Sequence, residues 1–222
     1  MTASAFSRAL RRVFLGLLLV GIAPFAPATS VIRVTFPDLC EKAALIFEGR
    51  VIDVQTREEH DRYKHIWTVA TFEVLEVIKG PPVPGSKVSA PPVGGRISLE
   101  FLGGAVGNRT LRIGDMRVPE PGETGIYFVE SLEKRLVHPL YGWSQGHFIV
   151  DRGPGGAEEV RSAAGQRVLA IEDLPAAPEV GLSSGTALGV RLAAKPDATP
   201  GLTARSFKDA IRRALKARGT EP

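Results

Sequence analysis

The strongest pattern in the chain is Ile66-Trp-Thr-Val-Ala-Thr-Phe-Glu-Val-Leu-Glu-Val-Ile-Lys-Gly80, dense in β-branched and aromatic residues. Its alternation is imperfect. Trp67, Val69, Leu75 and Val77 fall on one parity, and Ala70, Phe72, Val74 and Ile78 on the other. So many β-branched side chains suit a strand better than a helix. A strand apolar on both parities must be covered on both faces, or must switch sides through a bulge. Long strands of a small, strongly curved barrel meet that condition.

The same reading extends along the chain. Asp38 to Ala44 reads as a short helical turn leading into a strand over Leu45 to Val54, with Gly49 marking a bend. Gln55 to Lys64 is charge-dense and reads as a solvated loop. Gly80-Pro-Pro-Val-Pro-Gly85 is a breaker. Short strands are expected at Lys87 to Ala90, Arg96 to Phe101, Thr110 to Val118, Glu123 to Glu130, Val137 to Tyr141 and Gly146 to Val150. The turn Asp151 to Gly156 then folds Glu158 to Arg161 back as a hairpin partner. Repeated short strands with Gly/Pro turns indicate a mainly β barrel or sandwich. From Ser162 onward Ala, Gly, Pro and Ser dominate, which predicts a linker with a weak strand at Ala187 to Leu192. Thr203 to Ala217 reads as a helix: Phe207, Ile211 and Leu215 share one face, and Lys and Arg surround the rest.

The N-terminal pattern is of another kind. Arg8, Arg11 and Arg12 precede the apolar run Val13 to Ile22, and Ala26-Pro-Ala28 offers a small-x-small cleavage site. This is the order of a secretory signal peptide, with cleavage expected after Ala28 and Thr29 as the new N-terminus. The run is short for a retained membrane anchor, which needs about 20 residues. Arg11-Arg12 resembles a twin-arginine signal, but Leu10 precedes the pair and the run is strongly apolar, so the general secretory route is expected.

That assignment changes the charge. The whole chain carries 28 Lys+Arg against 24 Asp+Glu, or +4. The signal removes three Arg and no acids, leaving 25 against 24, or +1. Clustered positive charge, which nucleic-acid binding requires, then remains only at Arg205, Lys208, Arg212, Arg213, Lys216 and Arg218. No nucleic-acid partner is expected. The basic helix is expected to pack on the body of the protein, with contact to an anionic membrane surface or docking to a partner as alternatives. The single cysteine, Cys40, excludes an intramolecular disulfide and reads as a buried small hydrophobe.

Gly49-Arg-Val51, the run Thr68 to Gly80 and Gly122 to Val129 together resemble the netrin-like domain, the OB-type barrel also found in tissue inhibitors of metalloproteinases. The ending Gly142-Trp-Ser-Gln-Gly-His-Phe148 also resembles a set of exported bacterial proteins of unassigned activity. The resemblance covers roughly residues 38 to 161. It implies an OB-type closed barrel. The zinc-chelating N-terminal cysteine of the inhibitors has no counterpart, because Cys40 lies inside the chain.

The segment Tyr141-Gly-Trp-Ser-Gln-Gly-His-Phe-Ile-Val150 holds the most suggestive chemistry. Ser144 and His147 resemble a nucleophile and its base. Positions i and i+3 of an extended strand point to opposite faces, so an extended segment would keep them apart. Tyr141 and Trp143 would then share a face. With Arg96 and His147 they are the candidate binding residues. His60 and His65 share a loop with Glu58, Glu59 and Asp61 but lack a metal-site spacing. No cofactor or metal is expected. The expected organisation is a signal peptide (1–28), an OB-type β-barrel domain (29–161), an Ala/Gly/Pro-rich linker (162–202) and a basic amphipathic helix (203–218). The expected function is an exported, non-catalytic module that binds another extracytoplasmic protein. The alternatives are a metal-dependent hydrolase using loop histidines and an OB-type oligosaccharide or nucleic-acid binder.

Overall fold

The structure is a computed structural model that describes residues 31–60, 62–80, 90–153, 155–172, 174, 181–183, 185–194 and 199–219. The expected signal peptide, the breaker beyond Gly80 and most of the strand expected at Lys87 to Ala90 lie outside the described residues.

A mainly β architecture forms, with a C-terminal helix. Ten strands are described: β1 Leu45–Glu58, β2 Ile66–Lys79, β3 Arg96–Leu102, β4 Gly104–Val106, β5 Arg109–Leu111, β6 Thr124–Val129, β7 His147–Arg152, β8 Glu158–Ser162, β9 Val168–Ile171 and β10 Val190–Leu192. Helix α1 spans Phe36–Lys42 and helix α2 spans Ala204–Ala217. The main sheet is antiparallel, in the order β3-β2-β1-β6-β7-β8.

This sheet is open. Among the described residues β3 and β8 are its edges and do not pair with each other, so the expected closure into an OB-type barrel is corrected. The reason is that the two faces are covered by different material. On one face Ile46, Ile126, Phe128, Phe148 and Val160 pack against Phe36 and Leu39 of α1 and Phe207, Ile211 and Leu215 of α2. On the other, Phe47, Val51, Ala70, Phe72, Val74, Leu99, Phe101 and Tyr127 pack among themselves as β1, β2 and β3 curl. Two covered faces satisfy the doubly apolar strands without ring closure.

Strand β2 is covered on both faces and also switches sides. Gly49 pairs with Val74 and Glu48 with Glu76, so Leu75 is an extra residue. It turns outward, while Ala70, Phe72 and Val74 before it and Val77 after it all face the second core. Ile52 does the same on β1, letting Val51 and Val54 share a face across a change of parity. Strand β1 runs on to Glu58, through the first four residues of the stretch Gln55 to Lys64 that reads as a charged loop.

Gly49 and Gly125 face each other across β1 and β6. A Cβ on Gly125 would stand 2.7 Å from the Phe148 carbonyl and 2.8 Å from the Tyr127 ring. One on Gly49 would stand 2.7 Å from the Phe47 ring. The missing side chains let Phe47 and Tyr127 fold over the strands, their ring centroids 5.4 Å apart.

Helix α1 is capped at both ends from outside. Thr35 Oγ1 accepts from Asp38 N–H at 3.1 Å. The buried Lys79 ammonium donates to the carbonyls of Cys40 (3.1 Å), Glu41 (2.5 Å) and Ala43 (2.6 Å). Its positive charge complements the helix C-terminus. Burial lowers its pKa.

Segment 162–202 reads as a linker, but its described residues supply the β9–β10 pair. Val168, Ala187 and Val190 enter the first core. Small residues here pack closely instead of running free. The helix, capped by Thr203, lays its apolar face on the sheet. Lys208 adds a polar anchor, donating to Glu48 and Glu76, each at 2.7 Å.

Candidate functional site

The segment Tyr141 to Val150 is not extended through its first half. Gly142 (φ 68°) and Trp143 (φ 60°) both take the left-handed conformation, and Trp143–Gly146 forms a single 3-10 turn. A tryptophan at positive φ is strained. It is held by stacking on His138, with centroids 5.3 Å apart and planes inclined by 19°. The turn places the Gln145 amide in the interior. Its Nε2 donates to the carbonyls of Ile32 and Gly142, each at 3.0 Å, and its Oε1 accepts from Val34 N–H at 3.0 Å. Gln145 therefore fastens residues 32–34, in a stretch where Ile32 bridges to Leu182 and Thr35 to Leu188.

His147 begins β7 directly opposite Tyr127 of β6. It is 1% exposed, and its Nε2–H donates to Glu123 Oε1 at 2.6 Å. Glu123 also accepts from the Tyr127 hydroxyl at 3.2 Å and from Arg117 at 2.6 Å. A carboxylate only accepts, so the proton must sit on Nε2. The nearby Arg117 nitrogen, 3.3 Å from the same Nε2, is then an electrostatic neighbour and not a donor to it. Nδ1 is buried without a partner. Burial lowers the His147 pKa and Arg117 adds to this, against the opposing pull of Glu123. The ring is therefore neutral. Burial alone would raise the Glu123 pKa, but the His147 hydrogen bond and the Arg117 charge outweigh it and hold the carboxylate ionised.

Arg117 links this buried set to the surface. With Val31, Asp115, Met116, Ser144 and Ser183 it lines a groove of about 490 Å³. Five separate stretches meet there: Val31 beside the residues that Gln145 fastens, the loop before β6, the 3-10 turn, Ala163 and Ala164 after β8, and Ser183 with Gly185. Asp115 is left-handed (φ 55°) and Trp143 adjoins the groove through Ser144. Strained backbone at non-glycine residues concentrates at functional sites.

The expected binding residues do not converge. Arg96 begins edge strand β3, with three strands between it and β7. Tyr141 packs against the first core. Trp143 stacks on His138, on the far side of the left-handed turn from any common strand face with Tyr141. His147 is enclosed. Side chains of Ser144 and His147 share no hydrogen bond among the described residues; the only link is His147 N–H to the Ser144 carbonyl. The expected separation of the two therefore stands, but through the 3-10 turn and burial and not through strand parity. His65 lies against Tyr63 with its ring tilted by 52°, and no group of three or more metal-binding side chains gathers among the described residues. Cys40 is buried, which raises its thiol pKa well above the ordinary value and suppresses the reactive thiolate.

Glu123, Tyr127, Arg117 and Gln145 were not evident as a set from the sequence. Part of the signal was there: Glu123 and Tyr127 share parity on one strand, so their side chains share a face. Arg117 and His147 join them only through tertiary pairing.

No protein-family model, curated protein or solved structure matches this chain.

Proposed function

We propose that this chain is an exported, non-catalytic binding module that engages another extracytoplasmic protein through the groove beside Ser144 and Arg117. One observation carries this reading. Ile32 and Leu182 face each other in a bridge and are 64% and 67% exposed, directly beside the groove residues Val31 and Ser183. A pair of large apolar side chains next to a groove with fixed polar groups is the composition of a protein-docking surface. The polar chemistry beneath supports the same reading. Arg117 and Glu123 neutralise each other and the neutral His147 ring orients the carboxylate, which suits a rigid recognition surface more than proton transfer. The netrin-like resemblance of Gly49 to Val51, Thr68 to Gly80 and Gly122 to Val129 belongs to this proposal.

Photocrosslinking tests it. A crosslinking residue is placed at Met116 or Leu182, and as a control at Ser98 on β3, in cells that export the protein. A discrete protein adduct at the first two positions and none at Ser98 is expected. Absence of adducts at the groove, or equal labelling at Ser98, would overturn the reading. Stoichiometric zinc in the purified protein would turn attention to the metal-dependent alternative.

A further inference from the structure

A second groove lies between α1, α2 and β9, with a volume of about 370 Å³. Its floor is apolar: Phe36, Ile171, Leu174 and Ala214 contribute to it. Small-molecule sites commonly have this size and this predominance of apolar lining. The charges around it are unequal in status. Arg218, which also lines it, is matched by Glu41 and Asp38. Glu172 at the groove is matched by Arg191 at 2.9 Å. Arg213, exposed at the rim, has no carboxylate partner among the described residues.

We propose that this groove binds a medium-chain fatty acid, its acyl chain along the apolar floor and its carboxylate on Arg213. A guanidinium fork matches a carboxylate through two parallel hydrogen bonds. One unmatched cation fits one carboxylate charge. The same geometry argues against insertion of α2 into a bilayer, because Phe207, Ile211 and Leu215, the face that would insert, are fully buried against the sheet.

Calorimetric titration of the purified protein with dodecanoate below its micellar concentration tests the site. Saturable one-to-one binding is expected. Dodecyltrimethylammonium, with the same chain and a cationic head, is expected to bind at least tenfold more weakly. Arg213→Gln is expected to weaken dodecanoate at least fivefold while leaving the thermal midpoint unchanged. Ala214→Phe, which fills the groove, is expected to abolish binding. Should Ala214→Phe misfold, the head-group comparison and Arg213→Gln still decide. No saturable binding, equal binding of the two head groups, or an unaffected Arg213→Gln would each overturn the proposal.

Discussion

Gln145 holds Val34 across the fold: its side-chain carbonyl accepts the Val34 backbone N–H at 3.0 Å while its amide donates to Ile32 next door. A fully buried amide with all three contacts to backbone acts as a substitute for a strand ladder. Gln145→Ala should leave a buried N–H and carbonyl unmatched and cost about 2–3 kcal/mol. Chemical denaturation measures the loss. Limited proteolysis should find the first cut moved to residues 31–35. A stability unchanged within about 0.5 kcal/mol would show that water replaces the amide without cost.

Gly125 sits under the Tyr127 ring. Gly125→Ala should push a methyl into the Phe148 carbonyl and the phenol, with overpacking of about 1–3 kcal/mol. It should also disturb the Tyr127–Glu123–His147 contacts, visible as shifted His147 ring resonances. Gly122→Ala, at a left-handed turn with open space around it, tests backbone strain alone and should leave those resonances in place.

Lys208 joins the helix to the sheet through Glu48, which is 7% exposed. Lys208→Met leaves a nearly buried carboxylate without its partner. A loss of about 2–3 kcal/mol is expected, less than for a fully enclosed pair because Lys208 keeps some solvent contact. The double variant Lys208→Met with Glu48→Gln should recover a large part of it. Simple additivity in that double-mutant cycle would refute the coupling.

Acid should destabilise the fold from about neutrality downward. Burial, with His147 acting in the same direction and the Leu140 hydrogen bond opposing, lowers the His138 pKa from 6.5 to about 3. Between those two values the unfolded chain holds a proton on this residue that the folded chain does not, so unfolding becomes more favourable as pH falls. The stability is fully present above 6.5 and is lost progressively down to about 3. The slope reaches about 1.4 kcal/mol per pH unit from this histidine. His147, also lowered, adds in the same direction, and Glu123 adds to the loss below 4.5. In urea titrations from pH 7 to pH 4, His138→Phe should flatten the slope, since Phe keeps the stack with Trp143 and takes up no proton.

Much of the architecture was legible before any coordinates. The hydrophobic period of α2 and its Thr203 cap, the turn at Asp151 to Gly156 and the doubly apolar run of β2 are local patterns with local causes. Val137 to Tyr141, by contrast, reads as a strand and forms only the bridge between Leu140 and Val129, because His138 turns its ring nitrogen back to Leu140 N–H. Of the candidate site, His147 was legible as an unusual residue, but its role was not. Nothing in Gly-Trp-Ser-Gln-Gly-His announces a left-handed tryptophan, and without it the parity rule places Tyr141 and Trp143 on a shared face they do not have.

Local pattern settles that the chain is mainly β, where α2 begins and that β2 needs cover on both faces, since side-chain period and propensity act over a few residues. It missed β9 and placed strands at Thr110 to Val118 and Val137 to Tyr141, of which only Thr110 and Leu111 belong to a strand. Tertiary structure alone decided that the cover comes from α1, α2 and the β9–β10 pair on one side and from the curl of β1–β3 on the other, so that the sheet stays open. It also decided that Glu123, at the turn just before β6, meets His147 of β7 and Arg117 of a loop. Those choices depend on long-range pairing and on the cost of burying unpaired charge, which no local window of residues contains.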